Sequence, residues 1–255
     1  MIGLFDSGIG GLTVLSCLKK ALPNDSFIYL GDTARLPYGT KSPETIQRYT
    51  KQNIRFLKNQ GVDVVVSACH SASSSILQYN IQDDIPLYNV IAPSCEEAKL
   101  KTKSRKIGLL ATQATVEGGQ YHKLIAAPYE LYAQASPLLV PLVESGWIDD
   151  VITEAVIARY VQPLLDQNVD VIILGCTHFP LLKKNIQKIV GPGITLVDPG
   201  DSLAELLKKS SMPVTTAEPL KIFLTDQSPH FVRLAKNLLS DATLKITQVD
   251  LTPLS

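Results

Sequence analysis

The chain has 255 residues, with 24 basic and 24 acidic side chains and a formal net charge of zero. Hydrophobic residues make up 45% and charged ones 19%. That is too apolar for a disordered chain and too balanced in charge for global attraction to nucleic acid or an anionic membrane. Four Cys in this length exclude a disulfide scaffold.

The length suits one large domain or two of about 100–150 residues each. The opening MIGLFDSGIGG has no basic n-region and no apolar h-region, so no secretory signal is expected. Apolar runs such as VIIL at 171–174 are too short to span a bilayer. The expected setting is a reducing cytoplasm, where a thiol is either packing or chemistry.

In chain order, a short apolar strand is expected at 2–5, followed at once by DSGIGG and by TVLSCLKKAL with helical spacing. A second strand is expected at 26–30. Residues 42–59 read as a helix, with Ser42 as cap, Pro43 in the first turn and Gly61 just past the end. The apolar run at 63–68 has the character of a buried parallel strand, and 87–91 is a further strand. KLKTKSRK (99–106) carries five basic residues in eight. It reads as a solvated helix end and linker rather than a phosphate patch, and it marks a boundary because the pattern restarts after it. A breaker-rich stretch at 208–219 marks a second boundary. Beyond it, strands at 220–225 and 244–249 flank a helix at 229–239. Strands alternating with helices imply an α/β fold with parallel sheet and helices on both faces.

The restart is a repeat. Ile2-Gly3-Leu4 recurs as Ile107-Gly108-Leu109, and the segment from Val62 to Cys69 recurs from Val169 to Cys176, at offsets of 105 and 107 residues. Two matches in the same order at nearly one offset imply an internal duplication. The expected architecture is two similar parallel-sheet α/β domains related by a pseudo-twofold axis, with the site in the cleft between them. The first domain is 1–97 plus 208–255 and the second is 98–207.

Ligands of open parallel sheets sit at the carboxyl ends of strands, and Cys69 and Cys176 each fall at such an end. Two opposed thiols can invert a tetrahedral carbon. One takes a proton from one face and the other returns a proton to the opposite face. The neighbours of each Cys look suited to lowering its pKa toward neutrality: His178 lies two residues beyond Cys176, and His70 adjoins Cys69. ACHSASSS (68–75) and DSGIGG (6–11) both read as strand-to-helix turns able to receive a carboxylate, with the glycines of the latter letting backbone approach an anion. DSGIGG is not the dinucleotide fingerprint. Cys17 and Cys95 read as structural, His122 and His230 as surface or core, and Trp147 and the LLVPLV run at 138–143 as packing. Cys69, His70, Cys176 and His178 form a Cys2His2 set in composition. Neighbours leaving a strand point apart, so zinc is a minor reading and no metal is expected.

With these pieces together, the chain resembles the glutamate racemases of the cofactor-independent aspartate/glutamate racemase superfamily. The similarity runs almost end to end through FDSGIGGLTVL (5–15), GDTARLPYGTKS (31–42), the Cys69 turn, ATQAT (111–115), VPLVESG (140–146), VIILGCTHFPLL (171–182) and DPG (198–200). The resemblance implies Cys69 and Cys176 as acid/base thiols, with Asp6 assisting the first and Glu144 and His178 the second. It implies that Ser7, Pro37, Tyr38, Gly39, His70, Ser71, Thr115 and Thr177 hold the substrate's carboxylates and ammonium. It further implies glutamate as substrate, no pyridoxal phosphate or other cofactor, a homodimer, no nucleic-acid or membrane partner, and a product that feeds peptidoglycan synthesis.

The chain departs from the family where C-N-T-A-S becomes Cys69-His70-Ser71-Ala72-Ser73. An imidazole replaces an amide. It can still donate to an α-carboxylate, and a protonated His70 would draw the Cys69 pKa down. Phe179 and Gly118 are lesser departures, standing where Tyr and Ser are usual. Two alternatives stay open: racemisation of aspartate or another amino acid, and a racemase-like protein that binds an amino acid or a partner with little turnover.

Overall fold

Every strand pairing in the computed structural model is parallel. The structure describes residues 1–210, 220–239 and 244–251, without the side chains of His230 and Asn237. The expected boundary at 208–219 therefore lies largely outside the described residues, as does the reading of His230.

The first half runs β1 (Ile2–Asp6), α1 (Gly11–Ala21), β2 (Phe27–Gly31), α2 (Pro43–Asn59), β3 (Val64–Ser67), α3 (His70–Gln78), β4 (Leu87–Asn89) and α4 (Ile91–Lys101). The second begins with β5 (Lys106–Ala111), α5 (Gln113–Glu117), α6 (Gln120–Leu124), β6 (Glu130–Ala135) and α7 (Leu139–Glu144). It continues through α8 (Val151–Leu165), β7 (Val171–Gly175), α9 (Lys183–Val190), β8 (Thr195–Val197) and α10 (Pro199–Lys209). Then come β9 (Lys221–Leu224), α11 (Pro229–Leu239) and β10 (Ile246–Gln248).

The two sheets have the orders β10-β9-β2-β1-β3-β4 and β6-β5-β7-β8. Leaving aside β9 and β10, these are the same four-strand order, 2-1-3-4, which is the topological imprint of the repeat read in the sequence. The last two strands return to the first sheet at the edge of β2.

Local chemistry fixes the elements. Ser42 caps α2, its hydroxyl accepting the Thr45 N–H at 3.3 Å, and Gly61 in the left-handed region (φ +76°) follows the helix end. Alternation along β1, β2 and β3 sends Leu4, Tyr29 and Val66 to a core shared with α1, α10 and α11. Phe5, Ile28 and Val65 go to a second core against α2 and α3. Each sheet is therefore buried on both faces, the arrangement that parallel sheets require.

Two helices change sides. Ile91, Cys95 and Ala98 of α4 join the core of the second sheet, while Leu203, Ala204 and Leu207 of α10 join that of the first. They follow the equivalent strands β4 and β8, so the exchange is itself symmetric. Trp147 does not pack as expected: it is 47% exposed, whereas Leu139, Val140 and Val143 of the neighbouring run are buried. No helix among the described residues is long and apolar enough to cross a membrane.

Candidate active site

The carboxyl ends of β1 and β3 face those of β5 and β7, and the chain leaving each of the four contributes a side chain to one cavity. Ser7 follows β1, Cys69 follows β3, Thr112 follows β5 and Cys176 follows β7. His70, Ser71, Thr177 and His178 extend the walls, and Leu36, Pro37, Tyr38, Gly39 and Val140 close them. The cavity measures about 20 Å³, on the order of one water molecule, so the cleft is narrow. All four cysteines are free thiols.

The two sulfurs that line it differ in their surroundings. Cys69 stands at the N-terminus of α3, and its thiol donates to the Ser7 hydroxyl at 3.8 Å. Burial, followed by the charge of Asp6, pushes this thiol up to about 12, against the pull of the Ala72 N–H and Ser7. The expectation that its neighbours bring it toward neutrality does not hold. Cys176 instead has His178 Nδ1 at 3.8 Å, and His178 Nε2 lies 2.5 Å from Glu144 Oε1. Burial works against a charge on His178, but the hydrogen bonds and charges of Cys176 and Glu144 outweigh it and push the imidazole up to about 10. An imidazolium therefore stands beside Cys176, with Glu144 at the last residue of α7 as its anchor.

Asp6 is fully buried and braces both halves. One carboxylate oxygen accepts the N–H groups of Gly8 and Gly11, both at 3.0 Å, and the other accepts the Thr177 hydroxyl at 3.2 Å. Two N–H groups of the DSGIGG turn are thus taken by the chain's own carboxylate. No hydrogen bond joins Asp6 to Cys69. Burial pushes the Asp6 carboxyl up, opposed by His178 and by its three donors.

The glycines of the turn also serve close approach. A Cβ on Gly10 would lie 2.4 Å from Thr177 Oγ1 and 2.6 Å from His178 Nδ1. The Thr13 hydroxyl donates to Gly10 O at 2.7 Å and to Thr177 O at 3.0 Å. The Cys176 turn is therefore seated directly on the backbone of the first half.

The 31–42 segment is pinned from behind. The Tyr38 hydroxyl donates to Asp32, and Asn53 Nδ2 donates to that hydroxyl at 3.0 Å. Asp32 also accepts Arg35 Nε at 2.7 Å. This leaves the Tyr38 ring and Gly39 on the cavity, with Gly39 packed against Thr112. On the opposite wall, Ser71 Oγ meets Thr112 Oγ1 at 3.2 Å, and Thr112 Oγ1 meets Thr115 Oγ1 at 2.9 Å. Thr115 stands behind Thr112 rather than on the cavity.

Thr112 was missed in the sequence, although the signal was present. At the first offset of the repeat it is the counterpart of Ser7, as His178 is of Ser71 at the second. His70 also departs from expectation. It is 2% exposed and stacks on Tyr121 with ring centroids 6.5 Å apart. Burial alone pushes it down to about 3, so it is neutral and brings no positive charge to Cys69. Among the described residues no group of three or more His, Cys, Asp or Glu converges as a metal site.

The profile of the Asp/Glu/hydantoin racemase family matches residues 10–207. The chain belongs to this family. A glutamate racemase of Aquifex aeolicus is 42% identical over 242 residues, covering 94% of each chain. Among solved structures, a glutamate racemase isoform of Bacillus anthracis superposes with a TM-score of 0.92 at 31% identity, covering 98% of this chain and 97% of that one. The Francisella tularensis glutamate racemase, solved with D-glutamate, gives 0.86 at 32% identity, covering 99% and 98%. Racemases are isomerases, and the α/β fold with two parallel sheets is common to these structures.

Proposed function

We propose that the chain is a glutamate racemase that moves a proton at the α-carbon between Cys69 and Cys176. The observation that supports this reading is a pair of free thiols from equivalent positions of the two repeats, lining one cavity. Its relatives bear the name of that activity.

The chemistry follows from the surroundings. Cys69, with its proton held toward Ser7, takes the role of starting acid, and Cys176, beside the His178 imidazole, that of starting base. That base takes the α-proton, and the C–H electron pair stays on the substrate, delocalised into its carboxylate. The opposite thiol then gives its proton to the other face. The substrate ends inverted, the two sulfurs have exchanged protonation states, and no electron leaves or enters. The scheme needs neither pyridoxal phosphate nor a metal.

Glu144 keeps His178 charged and oriented, and Asp6 fixes the turn and Thr177. Ser7, Pro37, Tyr38, Gly39, His70, Ser71 and Thr177 hold the amino acid, with Thr115 supporting Thr112 behind the wall. The two sheets, each moving with the helices packed against it, part to admit the substrate into the cleft. The same reading carries a cytoplasmic homodimer that supplies D-glutamate for peptidoglycan.

Purified protein given L-glutamate without added cofactor is expected to drive the optical signal to zero as D-glutamate accumulates. Retention of the full L-signal with glutamate, and its decay with aspartate in a parallel panel, would transfer the reaction to the shorter substrate.

A further inference from the structure

Beside the cavity of the two thiols lies a second, roomier pocket of about 80 Å³, space for several water molecules. Its walls come from both parts of the chain. Lys41 and the α3 residues Ser71, Ser74 and Ser75 form one side, while Glu117 and Gly118, at the end of α5 behind β5 of the other sheet, form the opposite side. Ser71 lines both spaces. Two features distinguish the pocket from a packing gap. The Ser74 and Ser75 hydroxyls are buried, at 3% and 4% residue exposure, and have no hydrogen-bond partner in the protein. Buried hydroxyls are nearly always paired, because an unpaired one costs stability. In addition, a cation and an anion line the same pocket, and among the described residues neither Lys41 nor Glu117 is in an ion pair, with each other or with a third group. Gly118 keeps the space open: a Cβ there would lie 2.2 Å from Ser74 Oγ, although its backbone is ordinary right-handed helix (φ −62°).

We propose that this pocket is a second amino-acid site, distinct from the catalytic cavity, that takes the zwitterionic head group of a free α-amino acid. The carboxylate is received by Lys41 and the two seryl hydroxyls, and the ammonium by Glu117. A lone anion would leave Glu117 unanswered and a lone cation would leave Lys41 so, whereas a zwitterion answers both. The site reads the head group alone, so glycine suffices to fill it. Its consequence rests on the racemase reading. The two walls belong to sheets that part for substrate to enter and product to leave. A ligand that touches both walls binds the narrow arrangement better than the parted one and shifts the population toward it. Product release therefore slows as free amino acid accumulates.

Glycine is the probe, because inversion leaves it unchanged. Initial rates are measured against L-glutamate at several fixed glycine concentrations. Glycine that enters the thiol cavity competes with substrate and raises the apparent KM alone, whereas glycine in the second pocket lowers kcat. In the wild type kcat is expected to fall by about twofold or more as glycine saturates. Lys41→Met, Glu117→Gln and Gly118→Ala all change the second pocket and none lines the thiol cavity. Each should keep the wild-type kcat without glycine and need about tenfold more glycine for the same fall, as loss of one hydrogen bond to a charged group, or of the space, implies. Acetate and methylammonium, each carrying half of the head group, should leave kcat unchanged.

A pocket that holds only water would behave differently. Purely competitive inhibition by glycine, a fall in kcat that persists undiminished in the variants, or an equal fall with acetate overturns the proposal. Should Gly118→Ala fail to fold, Lys41→Met and Glu117→Gln carry the same test. If the wild type does not racemise glutamate, the racemase reading fails on its own. The rise in Tm that glycine gives the wild type then decides the site: its loss in Lys41→Met and Glu117→Gln supports it, and an equal rise in all three proteins, or none in the wild type, overturns it.

Discussion

Cys69 and Cys176 occupy matching places in two copies of one motif, yet their surroundings have diverged. Cys69 is buried at the head of α3 with a serine hydroxyl for its proton and an aspartate close enough to push its thiol up to about 12. Cys176 faces an imidazole pushed up to about 10 and backed by a carboxylate. The duplication supplied symmetric positions, and the neighbours supplied asymmetric charge. A reaction that begins with one sulfur protonated and the other not needs that difference, because two identical sites would share no preference for where the first proton lies.

The largest effect expected is the loss of either sulfur. Cys69→Ala and Cys176→Ala should each lower racemisation by about 10³-fold or more, the scale of a lost general acid or base. A variant with wild-type kcat/KM breaks the pairing. His178→Gln comes next, with kcat down by about 10²-fold, while Ser7→Ala, which removes the hydrogen-bond partner of the other thiol, should cost only about tenfold. Steady-state kinetics of both variants measure the asymmetry, and equal losses would contradict it.

The pH profile sharpens the same contrast. Because the folded state raises the His178 pKa, its protonated partnership contributes fully below about 6.5, the unfolded value. That contribution declines as pH rises and is lost through about 10. Activity and Tm should fall together on this alkaline limb. Glu144→Gln, which removes the carboxylate that helps hold the proton, should move the limb to lower pH. An unmoved limb assigns it to another group.

Gly10→Ala probes the seating of one half on the other. The backbone of Gly10 is ordinary right-handed helix (φ −55°), so space and not conformation forbids a side chain. The added methyl would press on Thr177 and His178. A loss of about 1–3 kcal/mol in unfolding free energy is expected, with a kcat defect resembling that of His178→Gln. Full stability and activity would show that the turn gives way freely.

Much of this was legible in the residues because it is local. Ser42, Pro43 and Gly61 specify the ends of α2, and the apolar runs before Cys69 and Cys176 specify buried strands wherever they occur. The repeat then put both sulfurs at strand ends. What escaped was tertiary. An amphipathic helix does not state which sheet it covers, so the exchange of α4 and α10 left no local trace. A glycine-rich turn does not state which of its N–H groups the chain's own Asp6 will take. The neutrality of His70 depends on Tyr121 and on burial, neither of which adjoins it in sequence. Thr112 alone was recoverable, by carrying Ser7 through the repeat.

The central claim is that two sulfurs act from opposite faces of one carbon, and its most direct test is the fate of deuterium in the first turnovers. L-glutamate is incubated in D2O, and both enantiomers are separated and weighed by mass spectrometry at a few per cent conversion. Two thiols predict D-glutamate carrying one α-deuterium while the remaining L-glutamate stays unlabelled, because the proton taken from one face is not the one returned to the other. Deuterium appearing in recovered L-glutamate as fast as in the product would mean that a single group serves both faces, and would contradict the account.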